Sequence, residues 1–285
     1  MNTPLISIII PAHNNEVSIG LAIDSMLAQT YPNTEIIVID DNSTDNTPNV
    51  AKRYEKLHKN VKFYSLPYDD PYRINKRGRN VNAGYMARNY GLEKTTGEWI
   101  TFQDADDASV LNRIETEYIL AQRFNSNHIC IQWQKLSPDK IESVFDFEKA
   151  LQENRGLIIE NKEIQMLGQK SKGVLMNLLG SLRKYIPFET KRGWIINKLF
   201  FGSLDSYPGS GNSPLFKREV IGKVKFRPID ERVWPSFTGR GADRDFNFQV
   251  AETFGKSVSF KLPLYLWRVD RENNLSYPFE KYLIK

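Results

Sequence analysis

Strand-like and helix-like segments alternate through the first half of the chain, and this alternation constrains the fold more than any other feature of the sequence. Residues 5–10 form a continuous β-branched run, residues 17–29 carry apolar side chains at helical spacing, and residues 35–39 are again strand-like. This order predicts parallel strands joined by a right-handed crossover. The pattern predicts further helices over residues 46–57, 82–94 and 110–124 and further strands over residues 61–66 and 99–103.

Helices on both sides of these strands would give a Rossmann-like, doubly wound, mostly parallel α/β sheet, whose ligands bind at the carboxyl ends of the strands. Dinucleotide-binding members of this class place a glycine-rich turn after the first strand, where backbone amides meet the pyrophosphate. Here that turn, residues 11–15, contains no glycine. A protein that binds a diphosphate without such a turn needs another device, and a cation held by carboxylates is one.

Three aspartates, Asp104, Asp106 and Asp107, directly follow the strand predicted over residues 99–103. Like charges at one strand end are unfavourable unless a cation or hydrogen bonds compensate them. Carboxylate oxygens suit Mg²⁺ or Mn²⁺, so the cluster indicates a metal site. The alternative is that Asp106 or Asp107 caps the following helix.

A second acidic pair, Asp40 and Asp41, closes the second predicted strand. Aspartates are common turn formers, which is the structural interpretation of this pair. Because the pair also lies on the ligand side of the predicted sheet, we favour a role in binding.

The single cysteine, Cys130, lies in an apolar stretch and excludes an intrachain disulfide. A buried, unreactive thiol is expected there, and the composition fits a reducing cytoplasm. The apolar run at residues 5–10 is too short for a signal sequence or a membrane span, so neither is expected. Three scattered histidines show no ligand spacing, which argues against zinc.

Positive charge is concentrated in residues 164–200, which hold seven basic residues and one acidic residue, while the whole chain carries a formal charge of +5. Interleaved apolar residues allow two interpretations of this segment. It lies against an anionic membrane surface, or it forms a helical lid or subunit contact whose lysines face water. No nucleic-acid motif accompanies the basic residues, so a nucleic-acid partner is not expected.

Four short motifs together resemble the family-2 glycosyltransferases of the GT-A fold, over about residues 5–125. They are Ser-Ile-Ile-Ile-Pro-Ala-His-Asn-Asn at 7–15, Val-Ile-Asp-Asp-Asn-Ser-Thr-Asp at 38–45, Ala-Arg-Asn-Tyr-Gly-Leu at 87–92 and Asp-Ala-Asp-Asp at 104–107. The resemblance implies an enzyme that transfers a sugar, with inversion, from a nucleoside-diphosphate sugar to a hydroxyl of a glycan or a lipid-linked acceptor. UDP is the expected nucleotide.

The resemblance also assigns roles to the nucleotide-binding residues. It implies that Pro11 and Asn14 line the nucleotide pocket and that Asp41 accepts a hydrogen bond from the uracil ring, with Asp40 beside it.

Asp104 and Asp106 match the metal and ribose carboxylates of the family, which implies Mn²⁺ or Mg²⁺ as the cofactor. Asp107 is a third candidate ligand, and the resemblance does not assign it a specific contact with the metal or the ribose. Arg88 is placed to meet the diphosphate or the base; the alternative is a surface arginine that pairs with Glu93 on the same helix.

The second half of the chain resembles the family more thinly. Residues 211–218 resemble the segment that leads into the acceptor half. In residues 241–246, Ala242 replaces the usual Glu of a Glu-Asp motif, whereas Asp243 is retained and matches the catalytic base. The structural alternative for Asp243 is a helix N-cap, and Asp245 is the second candidate base.

Two further segments are candidates for contacts with the substrates. Residues 72–79 form a loop with four cations, which either faces phosphate or acceptor or is simply solvated. Residues 264–270 resemble the closing strand of the family, but Asp270 stands where many members have His. This departure and the one at Ala242 leave a second function open, that of a catalytically silent GT-A scaffold that binds nucleotide sugar or carbohydrate.

We therefore expect one GT-A domain over residues 1–285. Its parts would be a nucleotide-sugar-binding half (1–135), a basic, partly helical insertion on the acceptor side (140–206) and an acceptor and catalytic half (207–285). The sequence does not indicate an oligomeric state.

Overall fold

One mixed sheet organises the chain in the computed structural model, which describes residues 3–70, 73, 84–191, 193, 196–202, 207–235 and 241–268. Within these residues the sheet has nine strands in the order β3-β2-β1-β4-β8-β6-β9-β5, and β7 pairs with β9. The strands are β1 (Ile6–Ala12), β2 (Thr34–Asp40), β3 (Val61–Ser65), β4 (Trp99–Phe102), β5 (Ala108–Ser109), β6 (His128–Lys135), β7 (Ile158–Ile159), β8 (Leu215–Lys217) and β9 (Ser257–Trp267).

The helices that surround the sheet are longest in the first half and at the end of the described chain. They are α1 (Ile19–Leu27), α2 (Thr47–Leu57), α3 (Tyr85–Lys94), α4 (Arg113–Arg123), α5 (Pro138–Ile141), α6 (Phe147–Glu153), α7 (Asn161–Lys170), α8 (Val174–Leu178), α9 (Phe188–Lys191), α10 (Asn197–Phe200) and α11 (Ala242–Phe254). Within the described residues, no helix combines the length and the apolar character that a bilayer crossing requires.

Strands β3, β2, β1 and β4 are parallel and adjacent, as the alternation in the sequence predicts. Successive side chains of a strand point to opposite faces. Accordingly, Ile8 and Ile10 of β1 pack with residues of α1, α2 and α4, whereas Ile9 packs with residues of α3 and α11. Helices therefore cover both faces, and the prediction of a doubly wound α/β fold is confirmed.

The predicted boundaries shift by a few residues. Helix α1 begins at Ile19 rather than Val17, whose side chain is exposed and has no core contact to make. Helix α4 begins at Arg113 rather than at residue 110, because residues 108–109 form β5 and pair with β9. Beyond β4 the sheet is mixed: β8 runs antiparallel to β4 and β6, while β6 and β9 are parallel.

The described residues of the segment 140–206 form short helices, and through β7 the segment also joins the main sheet. Several of its basic side chains are used inside the fold. Lys172 pairs with Glu252, Lys191 donates to the backbone oxygen of Asp230, and Arg183 donates to backbone carbonyl oxygens. These three cations are held by contacts within the fold, whereas Lys170, Lys184 and Lys198 are exposed, so both interpretations of the segment stay open.

Several residues named in the sequence analysis lie outside the described residues. These are Asp270, the loop 72–79 apart from Arg73, the first two residues of the helix predicted over 82–94, and residues 192 and 194–195 of the basic segment.

Candidate active site

The loops that follow β1 and β2 are joined by Asn14 at the carboxyl edge of the sheet. Its side-chain oxygen accepts a hydrogen bond from the backbone N–H of Thr44 at 2.8 Å, and its own N–H donates to Ser43 Oγ at 3.0 Å. Asn14 has a φ of 54°, a left-handed conformation that asparagine tolerates better than most residues. Its side chain is exposed, and Pro11 beside it is half-buried. Their assignment to the nucleotide pocket stays a prediction.

Asp40 and Asp41 are both buried at the end of β2, but they have different surroundings. The carboxylate of Asp40 accepts from the backbone N–H of Ser43 at 3.3 Å, so Asp40 does form part of a turn. Asp41 Oδ1 accepts from Arg73 Nη2 at 2.6 Å. Burial raises the pKa of Asp41, and the positive charge of Arg73 offsets only part of this effect. Arg73 of the predicted basic loop thus pairs with Asp41, the carboxylate that the resemblance assigns to the uracil ring.

Arg88 is a buried residue of α3 that holds Asp104. Only 4% of its surface is exposed, and Nη2 donates to Asp104 Oδ1 at 2.5 Å. Its guanidinium lies 5.8 Å from the ring centre of Phe102 and 5.7 Å from that of Phe226, distances typical of cation–π contacts. Interpreting Arg88 as a surface arginine that pairs with Glu93 is therefore wrong, because the side chain points inward to the acidic cluster.

Asn212 holds the other oxygen of Asp104. Its Nδ2 donates to Asp104 Oδ2 at 2.7 Å, and its Oδ1 accepts from Ser210 Oγ at 2.6 Å. Sequence reasoning quoted this loop but gave Asn212 no role. The available signal was its position between Gly211 and Ser213 in a segment that resembles the family.

Asp104, Asp106 and Asp107 come together as a group of potential metal ligands. Each offers one oxygen, and these three oxygens lie within 4.8 Å of one another. Helix α4 begins at Arg113, six residues after Asp107, and Asn112 is at its N-cap position. The alternative that Asp106 or Asp107 caps this helix is therefore wrong.

Asp107 is the most deeply buried member of the group. Its two oxygens accept hydrogen bonds from the Tyr265 hydroxyl and from the backbone N–H of Arg268, both at 2.8 Å. Burial and the charges of Asp106 and Asp104 nevertheless raise the pKa of Asp107 well above its usual value. The protein donors thus leave part of the negative charge uncompensated. Three hard oxygen ligands around uncompensated charge fit Mg²⁺ or Mn²⁺.

Asp243 and Asp245 lie in the first turn of α11, where the N-cap position is Gly241. Asp243 follows Ala242, so its interpretation as an N-cap is wrong. Asp245 is fully buried and accepts two hydrogen bonds from Arg227, at 2.6 and 2.8 Å. Burial alone would raise the pKa of Asp245, but the charge and hydrogen bonds of Arg227 outweigh it and lower the pKa. Asp245 is thus enclosed by the fold, whereas Asp243 is partly exposed.

A cavity of about 360 Å³ brings residues from distant parts of the chain together. Three of the predicted site residues line it, namely Arg88, Asp104 and Asp243. The other lining residues are Trp133, Gly209, Ser210, Gly211, Asn212, Gly241, Tyr265 and Trp267. Sequence reasoning missed the two tryptophans, because nothing in their own segments distinguishes a wall of a cavity from a core position.

A neighbouring cleft of about 330 Å³ holds Asn14, Asp106 and Arg268 among its lining residues. A larger cavity of about 1,010 Å³ lies among α4, α6 and α7, and none of the predicted site residues line it. Five of the predicted site residues therefore line the two smaller openings at the carboxyl edge of the sheet, whereas Pro11, Asp40 and Asp41 line neither.

The sequence profile of glycosyl transferase family 2 matches residues 7–163, which is more than half of the chain. The chain therefore belongs to glycosyltransferase family 2, and the predicted family is confirmed.

Three curated relatives are similar over different parts of the chain. An uncharacterized glycosyltransferase of Haemophilus influenzae is 32% identical over 59% of this chain and 66% of its own length. The putative glycosyltransferase EpsH of Bacillus subtilis is 27% identical over 94% of this chain and 62% of its own. The Escherichia coli UDP-Glc:alpha-D-GlcNAc-diphosphoundecaprenol beta-1,3-glucosyltransferase WfgD is 31% identical over 51% and 52%. The chain thus spans between about half and two thirds of the length of these relatives.

Two solved structures are similar over nearly the whole chain. Staphylococcus aureus TarS in complex with UDP has a TM-score of 0.56 and 16% identity, covering 93% of this chain and 60% of its own. The mannosyltransferase PcManGT of Pyrobaculum calidifontis, in complex with GDP-Man and Mn²⁺, has a TM-score of 0.55 and 16% identity, covering 95% and 59%. At this identity the likeness shows the fold, which is the predicted GT-A fold.

Proposed function

We propose that the protein is an inverting, metal-dependent glycosyltransferase. It moves a sugar from a nucleoside-diphosphate sugar, with UDP as the nucleotide, to a hydroxyl of a glycan or a lipid-linked acceptor. One observation carries this proposal: Asp104 of the acidic cluster and Asp243 of α11 line the same cavity, although α11 is remote in sequence from β4. In this proposal Asp104 holds the donor and Asp243 accepts the proton, and both side chains line the same cavity.

On the donor side, this chain supplies a nucleotide pocket and a fixed carboxylate. Pro11, Asn14, Asp40 and Asp41 hold the base and ribose in this proposal, as the family resemblance implies. Arg88 and Asn212 keep Asp104 in place from opposite oxygens.

Asp104 and Asp106 would hold Mn²⁺ or Mg²⁺, with Asp107 behind them. The ion would supply positive charge to the diphosphate as negative charge develops on it.

On the acceptor side, Asp243 acts as the general base. It accepts the proton of the acceptor hydroxyl while that oxygen forms a bond to the anomeric carbon and the bond to the nucleoside diphosphate breaks. Attack from the face opposite the leaving group inverts the configuration. Gly211 leaves room for this hydroxyl, because a Cβ at that position would lie 3.0 Å from Asp243 Oδ2.

The relatives support the substrate classes in this proposal. The name of the E. coli relative specifies UDP-Glc as donor and a diphosphoundecaprenol-linked sugar as acceptor. One solved neighbour holds UDP, and another holds GDP-Man with Mn²⁺.

For its location we propose the cytoplasmic face of a membrane, with residues 164–200 as the contact. The side chains of Val174, Leu178, Leu182 and Tyr185 are all exposed, and that of Leu178 is 75% exposed. They recur at helical spacing beside the exposed Lys184. Apolar side chains next to cations suit the interface of an anionic bilayer.

Flotation with vesicles of phosphatidylglycerol and phosphatidylethanolamine tests this contact. The double variant L178S/L182S should lose most of the vesicle-bound fraction. The control L57S changes a leucine of similar exposure on α2 and should float like the wild type. Equal flotation of all three proteins would contradict the proposed contact.

The central experiment for the function is a panel of UDP-, GDP- and dTDP-sugars incubated with the purified protein, with Mn²⁺ or with EDTA. The proposal predicts slow, Mn²⁺-dependent release of the nucleoside diphosphate from at least one UDP-sugar. Binding of a nucleotide sugar without release, with or without an added saccharide, would instead favour the silent scaffold.

A further inference from the structure

Two exposed tryptophans form a wall of the cavity that contains Asp104 and Asp243. Trp133 lies near the end of β6 and Trp267 at the end of β9, and their exposed fractions are 43% and 37%. The other tryptophans in the described part of the chain, Trp99 and Trp234, are buried. A large apolar surface left in contact with water is unfavourable for the isolated fold and commonly marks a binding surface.

The strand pairing explains why the two rings share one wall. Trp133 pairs with Tyr265 across β6 and β9, and Trp267 follows Tyr265 by two residues, so both β9 side chains point to the same face. The ring centres of the tryptophans are 4.7 Å apart with an angle of 79° between the planes. Such an edge-to-face contact fixes the orientation of both rings.

Two residues next to the tryptophans, at the carboxyl end of β9, form hydrogen bonds with the acidic cluster. The Tyr265 hydroxyl donates to Asp107 Oδ2 at 2.8 Å, and the residue after Trp267, Arg268, donates its backbone N–H to Asp107 Oδ1. The aromatic wall and the acidic cluster therefore adjoin through these two hydrogen bonds, although they lie at the ends of different strands.

Other parts of the cavity lack bulk and carry polar groups. Gly209, Gly211 and Gly241 contribute no side chains to it, and Gly211 keeps the space beside the Asp243 carboxylate open. A ligand that fits here needs an apolar surface for the indole rings and hydroxyl groups for Asp243 and its polar neighbours. A pyranose ring has both, since its C–H groups and hydroxyls point in different directions.

We propose that Trp133 and Trp267 form an acceptor platform, on which the C–H face of a pyranose ring packs so that one hydroxyl meets Asp243. This inference rests on the proposed function and makes the reactive end of the acceptor a saccharide. The position of the rings favours the acceptor over the donor sugar, because they are open to solvent where a second substrate can enter. The donor is anchored by its diphosphate at Asp104.

The test separates the two substrates kinetically in W133A and W267A, with W133F and W267F as conservative variants. Hydrolysis of the active donor without acceptor gives the donor KM. Stimulation of nucleotide release by a panel of methyl glycosides of hexoses and N-acetylhexosamines gives the acceptor KM. The exposed Leu57 of α2, which does not line the cavity, supplies the control variant L57A.

The platform predicts that each alanine variant raises the acceptor KM about tenfold, which is at the upper end of the range for an aromatic contact. The phenylalanine variants should recover part of this loss, and the donor KM should stay within about twofold of the wild-type value. An equal rise of the donor KM would place the rings at the donor sugar and overturn the inference. An unchanged acceptor KM, or no stimulation by any saccharide, would also overturn it.

Failure of the proposed function remains distinguishable from failure of the platform. If no donor is hydrolysed, the proposed function fails. Quenching of tryptophan fluorescence by the same glycosides, in the presence of UDP and Mn²⁺, then decides the platform. Saturable quenching that W133A and W267A weaken and L57A does not would support the platform, and the absence of quenching would contradict it.

Discussion

The two edges of the sheet both bury acidic side chains, but they treat the charge differently. At the amino edge, Glu35 of β2 accepts hydrogen bonds from Ser7 Oγ at 2.6 Å, from Thr96 N–H at 2.6 Å and from Lys62 Nζ at 2.9 Å. Burial alone would raise the pKa of Glu35, but these bonds lower it to about 2. The charge of Glu35 is thus compensated by the fold itself.

At the carboxyl edge, Asp104, Asp106 and Asp107 lie close enough to repel one another. Asp104 and Asp107 have protein donors, yet the pKa of Asp107 is raised because of burial and its two acidic neighbours. A carboxylate that stabilises the fold, such as Glu35, is surrounded by hydrogen-bond donors. Carboxylates that repel one another, as at the carboxyl edge, are the arrangement expected of a site that binds a cation. Asp245 and Asp243 show the same contrast within one turn of α11.

The largest effect should come from Asp243, the partly exposed acid of that turn. We expect D243N to lower the rate of transfer by about 10³-fold, because the acceptor proton loses its base. Nucleotide affinity in the presence of Mn²⁺ should stay near the wild-type value. Turnover assays and calorimetry measure the two quantities; turnover close to wild type would remove Asp243 from the role of base.

The D106A variant tests whether the acidic cluster at the carboxyl edge binds a cation. Saturating Mn²⁺ should raise the Tm of the wild-type protein by about 5 °C, as expected for a ligand that binds only the folded state. In D106A this rise should nearly vanish, while the Tm in EDTA should stay equal or increase because one repulsive charge is gone. A D106A protein with a lower Tm in EDTA and the full response to Mn²⁺ would contradict this role, because Asp106 would then stabilise the fold and would not bind the ion.

Asp245 should behave as an acid of the fold. D245N removes the buried partner of Arg227, and we expect it to destabilise the protein by about 3 kcal/mol. Urea unfolding measures this loss. D243N changes the partly exposed acid two residues earlier in the same turn. It is the matched control and should unfold at nearly the wild-type urea concentration. Similar losses of unfolding free energy in D245N and D243N would contradict the distinction between Asp245 as a structural acid and Asp243 as a site residue.

Glu35 should give the smallest effect, and only on stability. We expect E35Q to cost about 2 kcal/mol near neutral pH, since the ionised carboxylate and its donors lose their charge-assisted bonds. The folded-state pKa of about 2 lies below the ordinary value of 4.5. The contribution of Glu35 is therefore complete above pH 4.5 and is lost as the pH falls through about 2. Unfolding curves of wild type and E35Q should converge in acid; a constant difference down to pH 2 would refute this.

The sequence allowed the first half of the fold to be predicted because its signals are local. Continuous β-branched runs and helical spacing identified β1 to β4 and the helices between them, and the acidic residues could be placed at strand ends. Local patterns do not show which side chains meet in space. Arg88 was matched with Glu93 on its own helix as one alternative, whereas the fold pairs it with Asp104.

The rest of the site depends on contacts between distant segments. Asn212, Tyr265 and Trp133 come from the second half of the sheet, where short and mixed strands carry weak periodic signals. The sequence pattern does not separate the basic residues of 164–200 that are exposed from Lys191, which is buried against the loop at 229–234. Such burial is decided by tertiary packing and has no signature in the composition.

The most direct test of the account is calorimetric titration of the wild-type protein with UDP, in Mn²⁺ and in EDTA. In the proposed function, the carboxylates at the carboxyl edge need a cation before they can accept a diphosphate. The proposed function therefore predicts that UDP binds at least about 100-fold more tightly with Mn²⁺ than with EDTA, a difference of about 2.7 kcal/mol. Equal affinity under the two conditions would contradict it.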